Sequence, residues 1–253
     1  MSSKNSNGGD YSIDKLINLT APKYISEKSE NPGKIINFEM SNNMLSLSYN
    51  NFKKIENEFN DDKDLENSKY KDISNVVNDL DKNPTEANYL KIISKIASVN
   101  HTRTPKEVCE KIAEWAAKNE LIEKINNKNK KDNIEMVDTC INAVGNICHH
   151  YPRSLVSKVF RYLESWKGKT AFFTINDSIL RDVLPYYLIQ WGVTYNDDIN
   201  ASMKYSTYHD YCKELLKEIN KKNQKLNLHQ LDFLIWYYYS NDSIRLEIIK
   251  HIP

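Results

Sequence analysis

Apolar residues recur every three or four positions through most of the chain after residue 48, and this periodicity constrains the fold more than any other feature. The runs at 52–59 and 134–148 are typical of amphipathic helices. Only residues 35–48 have the composition of short extended pieces around a turn. The sequence therefore predicts an all-α protein of about nine or ten helices in two lobes. A cleft is expected between the lobes, and there is room for a small N-terminal β element.

Residues 1–48 are expected to be a flexible or weakly structured N-terminal segment, since most of them are polar or small and show no sustained period. Residues 49–253 are expected to form the helical domain. Three local signals divide this domain: a capping box with an early proline at 104–107, a polar basic stretch at 123–131 and a glycine stop at Gly192. The basic stretch is interpreted as a solvated loop, with a phosphate contact as the alternative.

The overall composition is that of a soluble globular protein rather than of a polyanion-binding chain. The formal net charge is +1, with 27% charged and 40% hydrophobic residues, so any nucleic-acid binding must be local. No apolar run approaches the roughly 20 residues of a membrane span. The four cysteines are scattered without a CxxC pair. We therefore expect a cytoplasmic monomer with free thiols and no membrane association.

The stretch 151–178, YPRSLVSKVFRYLESWKGKTAFFTINDS, combines locally concentrated positive charge with two candidate catalytic residues, Lys158 and Asp177. Between residues 149 and 170, five lysines and arginines face one glutamate, which gives a local formal charge of +4. The pattern predicts a helix that starts after Pro152, then a basic loop and a second helix start. The loop would fold Asp177 back towards Lys158, nineteen residues earlier.

Lys158 is predicted to lie at the margin of the apolar face of the first helix, half covered by its neighbours. A partly desolvated lysine near Arg153 and Arg161 is disfavoured in its charged form and becomes a better amine nucleophile. The alternative is an ordinary lysine whose aliphatic stem covers the edge of the core.

Asp177 directly precedes an apolar-periodic run, which is the position of a helix N-cap. Capping alone would explain this residue. The two roles are compatible, because a carboxylate held by backbone amides at a helix start also suits the stabilisation of a nearby cationic charge.

The order PRSLVSK, an amphipathic helix, a loop and FFTINDS resembles the catalytic segment of the helix-hairpin-helix DNA glycosylases, especially the 8-oxoguanine branch. The hairpin-like segment would occupy residues 134–165. In that family a glycine-rich hairpin leads to a nucleophilic lysine and an aspartate follows about nineteen residues later, positions that match Lys158 and Asp177. The family hairpin has the form LPGhGxK, with h apolar. This chain has no glycine there, so close approach of hairpin amides to a DNA phosphate is not implied.

The resemblance implies a DNA base-excision glycosylase with lysine-dependent lyase activity, which removes a damaged or mispaired base from double-stranded DNA. Lys158 would attack C1′ of the sugar, and Asp177 would stabilise the cationic sugar or activate the amine. No metal or cofactor is implied, since the iron–sulphur branch needs four closely spaced cysteines after the aspartate and only Cys212 follows it. The residues expected to bind DNA are His149, His150, Arg153, Ser154, Ser157, Arg161, Lys167 and Lys169.

Two features leave a second interpretation open. The missing hairpin glycines and the small net charge favour a non-catalytic helical DNA-binding or interaction protein, such as one acting in defence against mobile DNA. Cys148, His149 and His150 are consecutive, so they lack the one-turn spacing of metal ligands on a helix. The tyrosines at 186–187 and 237–239 are interpreted as core aromatics, with base stacking as the alternative.

Overall fold

The computed structural model describes residues 37–41, 44–61, 79–100, 102–126, 130–166, 172–196, 198–240 and 245. Residues 1–36, Lys167, Lys169 and all but one residue of the predicted last helix at 244–252 lie outside the described residues. Within the described ranges, no helix is long and apolar enough to cross a membrane.

Helices make up most of the described chain, which confirms the predicted all-α class. A small antiparallel hairpin, β1 (Met40–Ser41) and β2 (Met44–Leu45), pairs Met40 with Leu45 and Ser41 with Met44. This hairpin is the N-terminal β element that the sequence allowed. The helices are α1 (Tyr49–Asp61), α2 (Glu86–Val99), α3 (Lys106–Lys118), α4 (Leu121–Asn126), α5 (Lys130–Cys148), α6 (Arg153–Trp166), α7 (Ser178–Gln190), α8 (Tyr205–Lys221) and α9 (Leu228–Tyr239).

The buried apolar residues form two clusters, one in each lobe. The first cluster joins α2 to α6 and includes Ile93 and Val137. The second joins the hairpin, α1 and α7 to α9, and includes Leu45 and Leu184. Because Leu45 packs into the second cluster, the packed part of the chain begins before residue 49, where the helical domain was expected to start.

Helix α6 packs in the first cluster and is buried on every side from Leu155 to Glu164. The amphipathic pattern predicted one buried and one exposed face, but the polar face is covered as well. Residues 172–177 cover it, since they return along α6 in an extended conformation. Phe173 belongs to the first cluster and Ile175 to the second, so this segment crosses the junction between the lobes.

Both ends of α7 are set by local signals that the sequence carries. At its start Asp177 accepts a hydrogen bond from the Leu180 amide at 3.0 Å, which confirms the predicted N-cap. At its end Gly192 has φ +66°, a conformation that glycine adopts without steric cost. The Val193 amide donates back to the Leu188 carbonyl at 2.8 Å, as in a Schellman motif. The predicted glycine stop is therefore confirmed.

Two other local predictions are wrong. Helix α3 begins at Lys106 with Pro105 in the N-cap position, and no side-chain cap hydrogen bond forms there. Thr104 therefore stands one residue too early to cap the helix. The stretch 123–131 is not a loop throughout, because α4 continues to Asn126 and α5 begins at Lys130.

Tyr187 and Tyr239 are core aromatics rather than a stacking surface. Both side chains are buried, and their hydroxyl oxygens are 2.7 Å apart. The Tyr187 hydroxyl also lies 2.9 Å from the Leu45 carbonyl, to which it donates. These contacts tie α7 to α9 and to the hairpin.

Candidate active site

Helix α6 and the segment 172–177 run antiparallel, and side chains of the helix bind the backbone of the segment. At one end the Glu164 carboxylate accepts hydrogen bonds at 3.0 Å from the first two amides of the segment. At the other end the Asn176 amide donates to the Ser157 hydroxyl at 3.0 Å. This fold-back brings together residues that are far apart in sequence.

Lys158 and Asp177 meet at the second of these ends. Lys158 Nζ lies 3.6 Å from Asp177 Oδ2, and the amine also donates to the Ser154 hydroxyl at 3.0 Å. Asp177 Oδ1 caps α7, so the two carboxylate oxygens have separate partners. Both residues are only 7% exposed. Lys158 is thus more covered than predicted, because the returning segment lies over the polar face of α6.

A second group of ionisable side chains, which we call the core cluster, consists of Arg161, Glu164, His229 and Asp232. Arg161 Nε is 3.9 Å from Asp232 Oδ2, and that oxygen accepts the Ile175 amide at 2.8 Å. His229 Nε2 lies 3.2 Å from the Glu164 carboxylate. All four side chains are buried. The core cluster therefore holds the extended segment from inside the protein.

Burial dominates the pKa values in the core cluster. It raises the pKa of Asp232 to about 8, against the opposing effects of Arg161 and the Ile175 amide. It also lowers the pKa of the His229 imidazole well below its ordinary value, and Arg161 acts in the same direction. His229 is therefore neutral, and its N–H donates to the Glu164 carboxylate.

Other backbone groups of the segment are also bound by side chains, in place of a β-ladder. The Tyr205 hydroxyl accepts the Thr174 amide at 3.0 Å and donates to the Thr174 carbonyl at 2.9 Å. The His209 Nε2–H donates to the Phe172 carbonyl at 2.7 Å. Buried backbone groups require partners, so these side chains determine the path that delivers Asp177 to Lys158.

A cleft of about 340 Å³ is lined by Ser154, the hydrogen-bond partner of Lys158, while Lys158 and Asp177 themselves are not among its described lining residues. The loop before α3, the turn between α5 and α6, the start of α7 and the loop before α8 form its walls. Ser154 lines the cleft, so the Lys158 amine lies one hydrogen bond behind the wall. The described residues that line the cleft are Thr102, Arg103, Thr104, His150, Tyr151, Pro152, Arg153, Ser154, Leu155, Arg181 and Ala201.

The charged side chains among these lining residues are cationic. Arg153 donates to the carbonyls of Ser202 and Met203, both at 3.3 Å, and Arg181 donates to Asn176 Oδ1 at 2.6 Å. Burial lowers the pKa of Arg153, and the positive charge of Arg181 acts in the same direction. Two fixed like charges beside one opening make the cleft a favourable place for an anion.

The predicted DNA-binding residues that line the cleft are His150, Arg153 and Ser154. Ser157 and Arg161 are buried under the returning segment and do not line it. His149 is exposed next to the cleft, at φ +51° where α5 ends. The basic patch of the sequence is thus divided between the cleft and the core.

Sequence reasoning missed two arginines of the cleft. Arg181 follows Asp177 by one helical turn, so the i to i+4 spacing on a predicted helix could have placed it near the pair. Arg103 comes from a loop fifty residues before Arg153, and no local pattern marks it.

Neither a metal site nor a similar protein gives further information on the reaction that this site could perform. In the described part of the chain, no three His, Cys, Asp or Glu side chains come together as a potential metal site. The four cysteines are free thiols. Comparison with protein-family models, curated proteins and solved structures gave no match.

Proposed function

We propose that the protein is a lysine-dependent DNA lyase of the base-excision glycosylase type, with Lys158 as nucleophile and Asp177 as its proton acceptor. The observation that carries the proposal is the 3.6 Å separation of Lys158 Nζ and Asp177 Oδ2, with the amine one hydrogen bond behind Ser154 in the wall of a cationic cleft. An amine and a carboxylate beside an anion-binding surface are the groups that Schiff-base chemistry on a sugar phosphate requires.

The reaction would begin with transfer of the ammonium proton from Lys158 to Asp177. The neutral amine would then attack C1′ of the deoxyribose, and the glycosidic electron pair would leave with the base. Opening of the sugar ring gives an iminium that joins Lys158 to the sugar. Loss of a proton from C2′ then forms a C2′–C3′ double bond and expels the 3′ phosphate, which cleaves the strand, and water hydrolyses the iminium to the aldehyde and the free amine.

The sugar would reach the amine through the side of the cleft that Ser154 lines. The Ser154 hydroxyl covers the Lys158 amine, and rotation about its χ1 to another staggered position would uncover it. Arg153 and Arg181, both fixed by hydrogen bonds to neighbouring oxygens, would bind the adjacent phosphate as charged donors. The proposal therefore requires at least that the Ser154 side chain moves, since its hydroxyl accepts the hydrogen bond of the amine.

Borohydride trapping on duplex DNA that contains an abasic site tests this function. Reduction converts the iminium into a stable secondary amine, and peptide mapping by mass spectrometry locates the adduct. We expect an adduct on Lys158 that is lost in Lys158→Arg, since a guanidinium keeps the charge opposite Asp177 but forms no Schiff base. Lys106→Ala is the control, because that lysine side chain is 84% exposed. A folded wild-type protein that forms no adduct would contradict the proposal.

A second candidate is a non-catalytic DNA-binding protein that uses the same cleft. The burial of both Lys158 and Asp177 favours it, because an ion pair with little exposure can serve packing alone. Wild type and Lys158→Arg would then bind DNA equally, without an adduct. Fluorescence anisotropy at several salt concentrations measures this binding, and each phosphate contact contributes about −0.9 to the slope of log K against log salt.

A further inference from the structure

We propose that a groove beside α8, separate from the cleft, binds a neutral planar heteroaromatic amine such as an adenine ring. The start of α5, one face of α8, the loop before α9 and the first residue of the extended segment, Phe172, line this groove. No described residue lines both the groove and the cleft. The inference therefore goes beyond the proposed lyase function, and either can fail without the other.

The groove has the volume and the apolar surface that a planar ring system requires. Its volume is about 820 Å³, within the range of about 300–1,000 Å³ for ligand pockets. Its apolar lining residues are Ile134, Phe172, Leu216, Leu226 and Leu228. The half-buried Phe172 side chain offers an aromatic surface, on which an aromatic ligand gains more than an aliphatic one of the same area.

His209, which lines the groove, carries a buried hydrogen-bond acceptor without a partner. Its Nε2 lies 2.7 Å from the Phe172 carbonyl oxygen, and because a carbonyl can only accept, Nε2 carries the proton. Burial lowers the pKa of the imidazole, so the ring is neutral and Nδ1 keeps its lone pair. Nδ1 has no hydrogen-bond partner among the described residues, and the His209 side chain is only 1% exposed. A buried acceptor of this kind is costly unless a donor reaches it.

The Asp210 carboxylate provides a second acceptor at a distance that one amino group can span. Asp210 Oδ1 lies 3.8 Å from His209 Nδ1, too far for a hydrogen bond between them. An amino nitrogen placed between the two atoms would donate one hydrogen to each over about 2.9 Å. The Asp210 side chain is 71% exposed, so it can turn to another rotamer to admit the ligand. A ligand with two N–H groups on one nitrogen therefore matches this pair of acceptors.

The other polar groups of the groove favour a neutral heterocycle over an ion. The charged α8 side chains that line it are paired with one another. Lys213 lies 3.8 Å from Asp210, and Lys217 lies 2.9 Å from Glu214. Asn227 caps α9 through its side-chain oxygen, so its Nδ2 group is left as a donor for a ring nitrogen. An amino group next to a ring nitrogen is the pattern that an adenine edge presents.

Isothermal titration calorimetry of the full chain with adenosine and purine riboside tests the proposal. The two probes share the ring system and the sugar, but purine riboside lacks the exocyclic amino group. We expect the wild type to bind adenosine at least about tenfold more tightly, because purine riboside cannot donate to the two acceptors. Asp210→Ala should weaken adenosine binding about threefold or more through the loss of one acceptor. Glu114→Ala is the control, since that side chain is 54% exposed on α3 and does not line the groove.

Long-range proton–nitrogen NMR spectra of wild-type protein labelled at histidine give a second readout that does not depend on the folding of a variant. These spectra report the state of each ring nitrogen, and we expect adenosine but not purine riboside to shift the His209 Nδ1 resonance. Equal affinity for the two probes, no binding of adenosine at millimolar concentration, or an Asp210→Ala affinity equal to that of the wild type would overturn the proposal. Binding that leaves Nδ1 unchanged would also overturn it, since the ligand would then lie elsewhere.

Discussion

Helix α6 places two basic side chains opposite two acidic ones along one extended segment, and the surroundings of the two pairs differ. Lys158 and Asp177 are 3.6 Å apart, and Ser154 connects the amine to the wall of the cleft. Arg161 and Asp232 are 3.9 Å apart in the core cluster, where both side chains are almost completely buried. The two pairs are less than one helical turn apart along α6.

The difference shows that charge and position in the sequence do not determine whether a charged pair lies near the cleft or in the core. In the core cluster the carboxyl groups accept hydrogen bonds from backbone amides of the extended segment. In a β-sheet a neighbouring strand would supply these acceptors. Among the described residues, the Lys158 amine contacts side-chain oxygens alone, and one of these belongs to Ser154, which lines the cleft. At this end of the segment, a residue that lines the cleft therefore takes part in the contacts of the pair.

The largest effect is expected from breaking the core cluster with Glu164→Ala. This change leaves two buried amides and the His229 N–H without their acceptor, at a cost of about 3–5 kcal/mol in the free energy of unfolding. Urea denaturation followed by circular dichroism measures the loss. Glu214→Ala is the control, since that side chain is 53% exposed and its loss should change stability by less than about 0.5 kcal/mol. A loss below about 1 kcal/mol for Glu164→Ala would show that the segment is held by other contacts.

A smaller effect is expected from breaking the cleft pair with Lys158→Met and Asp177→Asn. Asparagine retains an acceptor for the Leu180 amide, so the cap survives while the charge is removed. Each single variant should cost about 1–3 kcal/mol, and the double-mutant cycle should give a coupling of about 1 kcal/mol or more. Urea denaturation of the four proteins tests this. A coupling near zero would mean that the two groups do not interact across 3.6 Å.

A still smaller loss of stability is expected from changing the contact between α5 and the turn that lines the cleft. Gly145→Ala places a methyl group 2.3 Å from the Tyr151 ring, so the ring must move and stability should fall by about 1–2 kcal/mol. In a Tyr151→Ala background the same change should instead stabilise α5 by about 0.5–1 kcal/mol, because alanine is the better helix former. Thermal unfolding of the four proteins measures both effects. The same sign in both backgrounds would rule out the ring contact as the cause.

The smallest expected effect is a pH dependence of the free energy of unfolding. It arises from His209, which binds the Phe172 carbonyl at the start of the segment. Burial lowers the pKa of His209 from its ordinary value of 6.5, with Lys213 acting in the same direction against the Phe172 carbonyl and Asp210. The unfolded chain therefore takes up a proton as the pH falls below 6.5 while the folded protein does not. His209 thus contributes stability that is present above this pH and is lost below it, by at most about 1.4 kcal/mol per pH unit.

Urea denaturation between pH 7.5 and 5 isolates this contribution when wild type is compared with His209→Gln. The variant should show a shallower loss of stability towards low pH. His229 titrates in the same direction and remains in both proteins, so its contribution cancels from the comparison. Parallel curves for the two proteins would exclude His209 as a source of the pH dependence.

Much of the local structure was predictable because its causes lie within a few residues of each other. The helical period, the cap at Asp177 and the stop at Gly192 all depend on neighbours one turn away. The fold-back of the loop followed from its length between two helix signals. The predicted capping box does not form, because α3 starts with Pro105 as its N-cap residue. A shift of one residue in the helix start is enough to remove Thr104 from the capping position.

The sequence by itself determined the all-α class, the order of its clearest helices and the chemical identity of the candidate pair. Only the tertiary structure decided that Arg161 enters the core while Arg153 and Arg181 reach the cleft, and that Arg103 joins them. A periodic pattern records which face of a helix is polar, but not what covers that face. On α6 an extended segment covers it, because buried side chains satisfy the backbone of that segment. Hydrogen bonds between distant parts of the chain, rather than local preference, therefore determined which charges lie beside the cleft and which lie in the core.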